Sequence, residues 1–249
     1  MDHYVKQAIA ARHAGRHDAA LHLLQQQFDH LSNSAGHLKS RLFITVFEWG
    51  QLAEVYPAAH AALASARDGQ AARLLAGDEF FGLPGEAWPR PRFQLILDMN
   101  ATLGEERASH DLFIQLLSGL PELAQRVALL ALPAIVAAGD FALAEAYLPD
   151  PLGQLEALNR VADELPLFPP QNEAPRVMAE LNGFTRDVSL CVATLTGLGR
   201  ADEAASLRQA ALAGLDSPAL RAWAQRELDA PGAVFRELQA KQLAPETIA

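Results

Sequence analysis

The stretch GEERASHDLF, residues 104–113, reads as a corner between two helices. Apolar helical sequence precedes it, and Gly104 supplies the left-handed backbone that ends a helix. Glu105 and Glu106 follow in what becomes a first helical turn, where negative charge offsets the macrodipole. Ser109, five residues past the glycine, is small enough to let the two helices approach closely. Phe113, four further on, fills the space beyond. The arrangement recurs in GRHDAALHLL from Gly15, GDFALAEAYL from Gly139 and GRADEAASLR from Gly199. Ala20, Ala144 and Ala204 stand where Ser109 stands, and Leu24 and Leu148 where Phe113 does. In the last segment Arg208 takes that place, beside Leu207. Each segment predicts a helix, a tight corner and a second helix, which is an αα-hairpin.

Little in the chain argues for strands. Ala, Leu, Gln, Glu and Arg dominate, and no alternating β-branched runs are bounded by hairpin turns. FITVF, residues 43–47, is the best strand candidate, but it sits inside HLKSRLFITVFEWGQLAEVY. There Leu42, Val46, Trp49, Ala53 and Tyr56 follow helical steps. Phe43, Phe47 and Gly50 make a second apolar stripe, which predicts a central helix packed on two sides. Asp150 before Pro151, and Ser217 before Pro218, each pair a capping side chain with a residue that loses nothing at a first helical turn. The stretches 76–92 and 165–176 read as irregular and long for helix connections. Neither has linker composition, so residues 1–249 are expected to form one helical domain, closed by a capping helix near 231–242.

Gly104 and Gly139 stand 35 residues apart, near the roughly 34-residue period of the tetratricopeptide repeat. WGQLAEVY, residues 49–56, also carries Trp49, Leu52, Ala53 and Tyr56 at separations that match the first helix of that family. Over about half its length the chain resembles this family. The resemblance implies an all-α fold, a right-handed superhelical array of antiparallel helix hairpins. The concave face of such an array offers side chains of every first helix to a peptide or helix of another protein. The first helices would include 4–12, 37–56, 93–101 and 188–196, with Lys6, Arg41, Glu48, Asn100 and Arg186 as candidate partner-binding residues. Trp88, Arg90 and Arg92 join them on composition: Trp88-Pro89-Arg90-Pro91-Arg92 is held extended by its prolines, which suits partner contact. The competing reading makes it a connector whose indole packs on Phe80 and Phe81.

The 249 residues carry a formal net charge of −10 with few lysines, which argues against a nucleic-acid surface. The longest apolar run, residues 127–138, has 12 residues and includes Pro133, whereas a bilayer-spanning helix wants about 20. The N-terminal sequence shows no basic-then-apolar leader pattern, so a cytoplasmic protein without membrane association is expected. Gly-rich phosphate loops and Gly-x-Ser-x-Gly elbows are missing, and neither a cofactor nor an enzymatic role is expected.

Three weaker possibilities come from single residues. His13 and His17 invite a metal reading, but Gly15 between them puts the rings on two helices, so a corner of solvated histidines is expected. Cys191 reads as a small buried hydrophobe. Glu48, between Phe47 and Trp49, would need an arginine if buried, with Arg41 on the same helix as the candidate. An enzymatic alternative would set Glu48 beside His37, His60 or His110. A self-associating alternative would use Val234, Phe235 and Leu238 of the last helix to form a homodimer.

Overall fold

The computed structural model describes residues 3–34, 38–83, 89–170 and 173–243. Among them the protein is all-α, with thirteen α-helices, one 3₁₀ turn and a single two-stranded sheet. The chain divides into two compact units, Met1–Ala134 and Ile135–Ala249. No change of composition marks that division, which is why the sequence reads as one domain.

The first unit holds α1 (His3–His13), α2 (His17–Ser32), α3 (Leu38–Ala53) and α4 (Pro57–Leu75), then α5 (Arg92–Leu103) and α6 (Glu106–Gly119). α7 (Pro121–Ala137) begins there and runs past the division. Each helix from α1 to α5 packs on the next, and α1 also touches α3, α3 touches α5, and α4 touches α6. The core gathers Leu24, Phe28, Leu42, Trp49, Leu63 and Met99. Trp49 is fixed within it, its indole N–H donating to the Ala59 carbonyl at 3.0 Å.

The four predicted corners are built alike. Gly15, Gly104, Gly139 and Gly199 all have positive φ, at 70°, 70°, 78° and 78°. At Gly104, the glycine N–H donates to Ala101 O at 3.2 Å and the Glu105 N–H reaches back to Asn100 O at 2.8 Å. The other three corners make the same pair of bonds, which satisfies the last carbonyls of the outgoing helix. The small residue that follows each glycine is buried in every case: Ala20, Ser109, Ala144 and Ala204. Gly77 ends α4 in the same way, inside the stretch expected to be irregular.

That stretch is tied down by one side chain. Residues 80–81 (β1) and 90–91 (β2) pair antiparallel, with Phe80 opposite Pro91 and Phe81 opposite Arg90. Arg92, fully buried, holds the base of this hairpin. Its Nε donates to Asp78 O at 2.7 Å, its Nη1 to the Gln70 amide oxygen and its Nη2 to Phe80 O. Nη2 also lies 2.8 Å from the Asp78 carboxylate.

In the second unit α8 (Phe141–Glu145) leads through a 3₁₀ turn (Leu152–Gln154) to α9 (Leu155–Glu164) and α10 (Arg176–Gly197). α11 (Ala201–Ala213), α12 (Pro218–Asp229) and α13 (Ala233–Leu243) follow. α10 packs against all five of the other helices, with Leu181, Phe184 and Val188 in the core. Because α8 is short, Leu148 falls beyond its end. The predicted caps are formed: Ser217 Oγ accepts from Leu220 N at 3.4 Å, and Asp150 Oδ1 from Gly153 N at 3.2 Å, opening the 3₁₀ turn. α13 is capped from outside itself, the buried Glu227 carboxylate of α12 accepting from Gly232 N at 2.6 Å and Val234 N at 2.8 Å. Val234 is buried and Phe235 is exposed.

Candidate functional site

The second apolar stripe of α3 is only partly core. Gly50 packs as expected: a Cβ there would lie 2.4 Å from Thr102 Cγ2 of α5, so the two helices nearly touch. Phe43 and Phe47 do not follow suit. They are 64 % and 49 % exposed, with rings stacked at a centroid distance of 6.3 Å and an interplanar angle of 19°. A helix whose opposite stripe already meets its neighbours buries what it can reach, and these two rings fall on the remaining edge.

They form one wall of a groove of about 250 Å³ between α3 and α5. Leu42, Val46 and Leu95 line it from the core side, and all three are buried. The α5 wall is Asp98, Ala101 and Thr102. Thr102 Oγ1 donates to the Asp98 carbonyl at 2.8 Å, which fixes its rotamer. The Asp98 carboxylate accepts from Arg90 Nη2 on Oδ2 and from Gln94 Nε2 at 2.9 Å on Oδ1. Its side chain is 35 % exposed against 18 % for Arg90. Arg90 Nε is buried with no hydrogen-bond partner among the described residues.

The residues singled out from sequence are distributed unevenly. Lys6 is exposed on α1 and Arg41 half-buried on α3. Glu48 is buried and paired with Arg12 of α1 at 3.0 Å, where the sequence points to Arg41; the pair ties α1 to α3. Asn100 is interior: its amide donates to Ser109 Oγ at 2.9 Å and its oxygen accepts from Arg67 of α4. Arg67 Nη1 also reaches Glu105 at 2.9 Å. Arg92 is fully buried. Asn100 and Arg92 are therefore engaged inside the fold, where the sequence reading places them on a partner-facing surface. Of the extended segment, Arg90 does not line the groove but pairs with Asp98, which does, and Trp88 lies outside the described residues. Arg186 is exposed on α10 of the second unit, where it pairs with Asp187 at 2.9 Å.

The single-residue candidates resolve as local chemistry. His13 closes α1 and His17 opens α2. The His17 ring packs on Tyr56 at 5.5 Å, and the Tyr56 hydroxyl donates to Asp18, a bond that raises the phenol pKa. Among the described residues no group of three or more His, Cys, Asp or Glu is placed to hold a metal ion. Burial, with Asp187 and Asp150 nearby, pushes the Cys191 thiol up to about 11, so it stays protonated at neutral pH. His60 is exposed, His110 lies 3.2 Å from Asp111, and His37 is outside the described residues.

A second trough, between α2 and α4, is lined by His22, Gln25 and Asp29 on one side and Ala62, Ser65 and Gly69 on the other. It is more polar, and among the described residues no exposed Phe, Tyr or Trp ring lines it. Among the described residues no helix is long and apolar enough to cross a membrane. No protein-family model, curated protein or solved structure matches the chain.

Proposed function

We propose that the first unit is a non-catalytic docking module whose α3–α5 groove receives a helical segment of a partner protein. In this reading α1 to α6 are three hairpins of a tetratricopeptide-like array, and α1, α3 and α5 are its first helices. The contacts of α1 with α3, α3 with α5 and α4 with α6 support it, because hairpins stacked in sequence order bring alternate helices together.

The observation that carries the reading is the exposed pair Phe43 and Phe47 above an apolar groove. Fully burying a phenylalanine is worth roughly 1.5–3 kcal/mol, and the fold of the unit, which leaves Phe43 64 % and Phe47 49 % exposed, realises only part of that gain at each. The rings are four residues apart on one helix, so they present a continuous edge one turn long. An amphipathic helix with apolar residues at i, i+3 and i+4 fits such an edge. Aromatic anchors near the centre of an interface also carry a large share of its energy.

Site-specific photocross-linking in the native cell tests this. A photoreactive phenylalanine analogue at position 47 should yield one dominant adduct, weakened by Phe43→Ser. The same analogue at Leu129, which is 64 % exposed on α7, should not yield it. Identical adducts from both positions, or none from position 47, would contradict the proposal.

A further inference from the structure

We infer that the segment taken by the α3–α5 groove is basic, an amphipathic helix whose lysine or arginine meets Asp98. The inference rests on the docking reading above and adds the chemistry of the partner. Asp98 is the one acidic or basic side chain among the described residues that line the groove. It is paired with Arg90, but the pair is not presented evenly. The carboxylate is 35 % exposed and faces the groove, while Arg90 is 18 % exposed and does not line it. Arg90 Nε is shut away from solvent altogether. What the groove shows an incoming helix is therefore the negative end of the pair.

The carboxylate also has capacity left. Gln94 occupies one site on Oδ1 and Arg90 one on Oδ2, whereas an ionised carboxylate offers about four acceptor sites in all. The remaining acceptors suit a cationic donor from the partner and repel a carboxylate. The formal charge of the chain, −10, acts in the same sense by drawing basic segments toward it. Arg90 and Gln94 act here as positioning residues that hold the carboxylate at the groove wall.

Fluorescence anisotropy with two labelled helical peptides tests the inference on the full chain. Both peptides carry the same leucine stripe, one flanked by lysines and the other by glutamates. The lysine peptide should bind about tenfold tighter, and the preference should shrink as salt is raised. Asp98→Asn should reduce that preference about fivefold, and Arg90→Gln should widen it, because the carboxylate then lacks its internal cation. Equal or tighter binding of the glutamate peptide, or a preference untouched by Asp98→Asn, would overturn the inference while leaving the docking module standing. If neither peptide binds in a way that Phe47→Ser weakens, the docking reading fails and this inference falls with it.

Discussion

Phe43 and Phe47 stack on each other in water, while Arg92, a residue type rarely found inside, is fully buried. The contrast predicts opposite responses to mutation. Phe43→Ser and Phe47→Ser should leave unfolding free energy within about 0.5 kcal/mol of the parent, because little packing is lost at exposed positions. Arg92→Met should cost about 3 kcal/mol, since it strands the Gln70, Asp78 and Phe80 oxygens that the guanidinium satisfies. Urea titration followed by circular dichroism distinguishes the two. Partial burial pushes the Asp78 carboxyl up, but the Arg92 and Arg73 guanidinium groups outweigh it and hold its pKa below the ordinary carboxylate value. Stability from this group is therefore complete above the ordinary carboxylate range and is lost as pH falls through the depressed value. Between about pH 5 and pH 2, Asp78→Asn should make the fall in stability shallower. An unchanged pH profile would contradict the assignment.

Helix corners and helix contacts respond to glycine substitution for different reasons. Gly104 has open space around it but a φ of 70°, so Gly104→Ala should cost about 1 kcal/mol through backbone strain alone. Gly50 has no such φ, yet a Cβ would meet Thr102 Cγ2 at 2.4 Å. Gly50→Ala should cost about 1 kcal/mol by overpacking, and adding Thr102→Ser, which removes that methyl, should recover most of it. Thermal melts of the two single variants and the pair measure both effects. The corners were legible in the sequence because a left-handed glycine and the small residue one turn later are local requirements. The exposure of Phe43 and Phe47 was not legible: helical periodicity shows that two stripes are apolar, not whether a neighbouring helix covers both. The burial of Arg92 leaves no sequence mark for a related reason. Its neighbours Pro89, Arg90 and Pro91 read as an extended surface segment, and nothing local reveals that Asp78, Gln70 and Phe80 converge on it. Glu227, which caps α13 from α12, left a similarly faint trace. Glu227→Ala should loosen that helix, giving faster amide exchange over 233–243 than elsewhere in the second unit.

At the scale of the whole chain, sequence order accounts for the helical class and for the pairing of neighbouring helices. It does not account for the division near Ala134, which falls inside the continuous helix α7. A boundary set by which contacts cluster, and not by a linker, has no compositional mark. Arg186, grouped with Lys6 and Arg41 from sequence, belongs to the second unit and has no part in the proposed groove. Methyl NMR of the intact protein, titrated with the lysine-flanked helical peptide, tests the docking of a helical segment on α3 and α5 most directly. The account predicts shifts at Leu42, Val46 and Leu95, with Leu181 and Val188 of the second unit silent. Shifts centred on Ala62 and Ala66 of α4, or on the second unit, with the α3–α5 methyls unmoved, would contradict it.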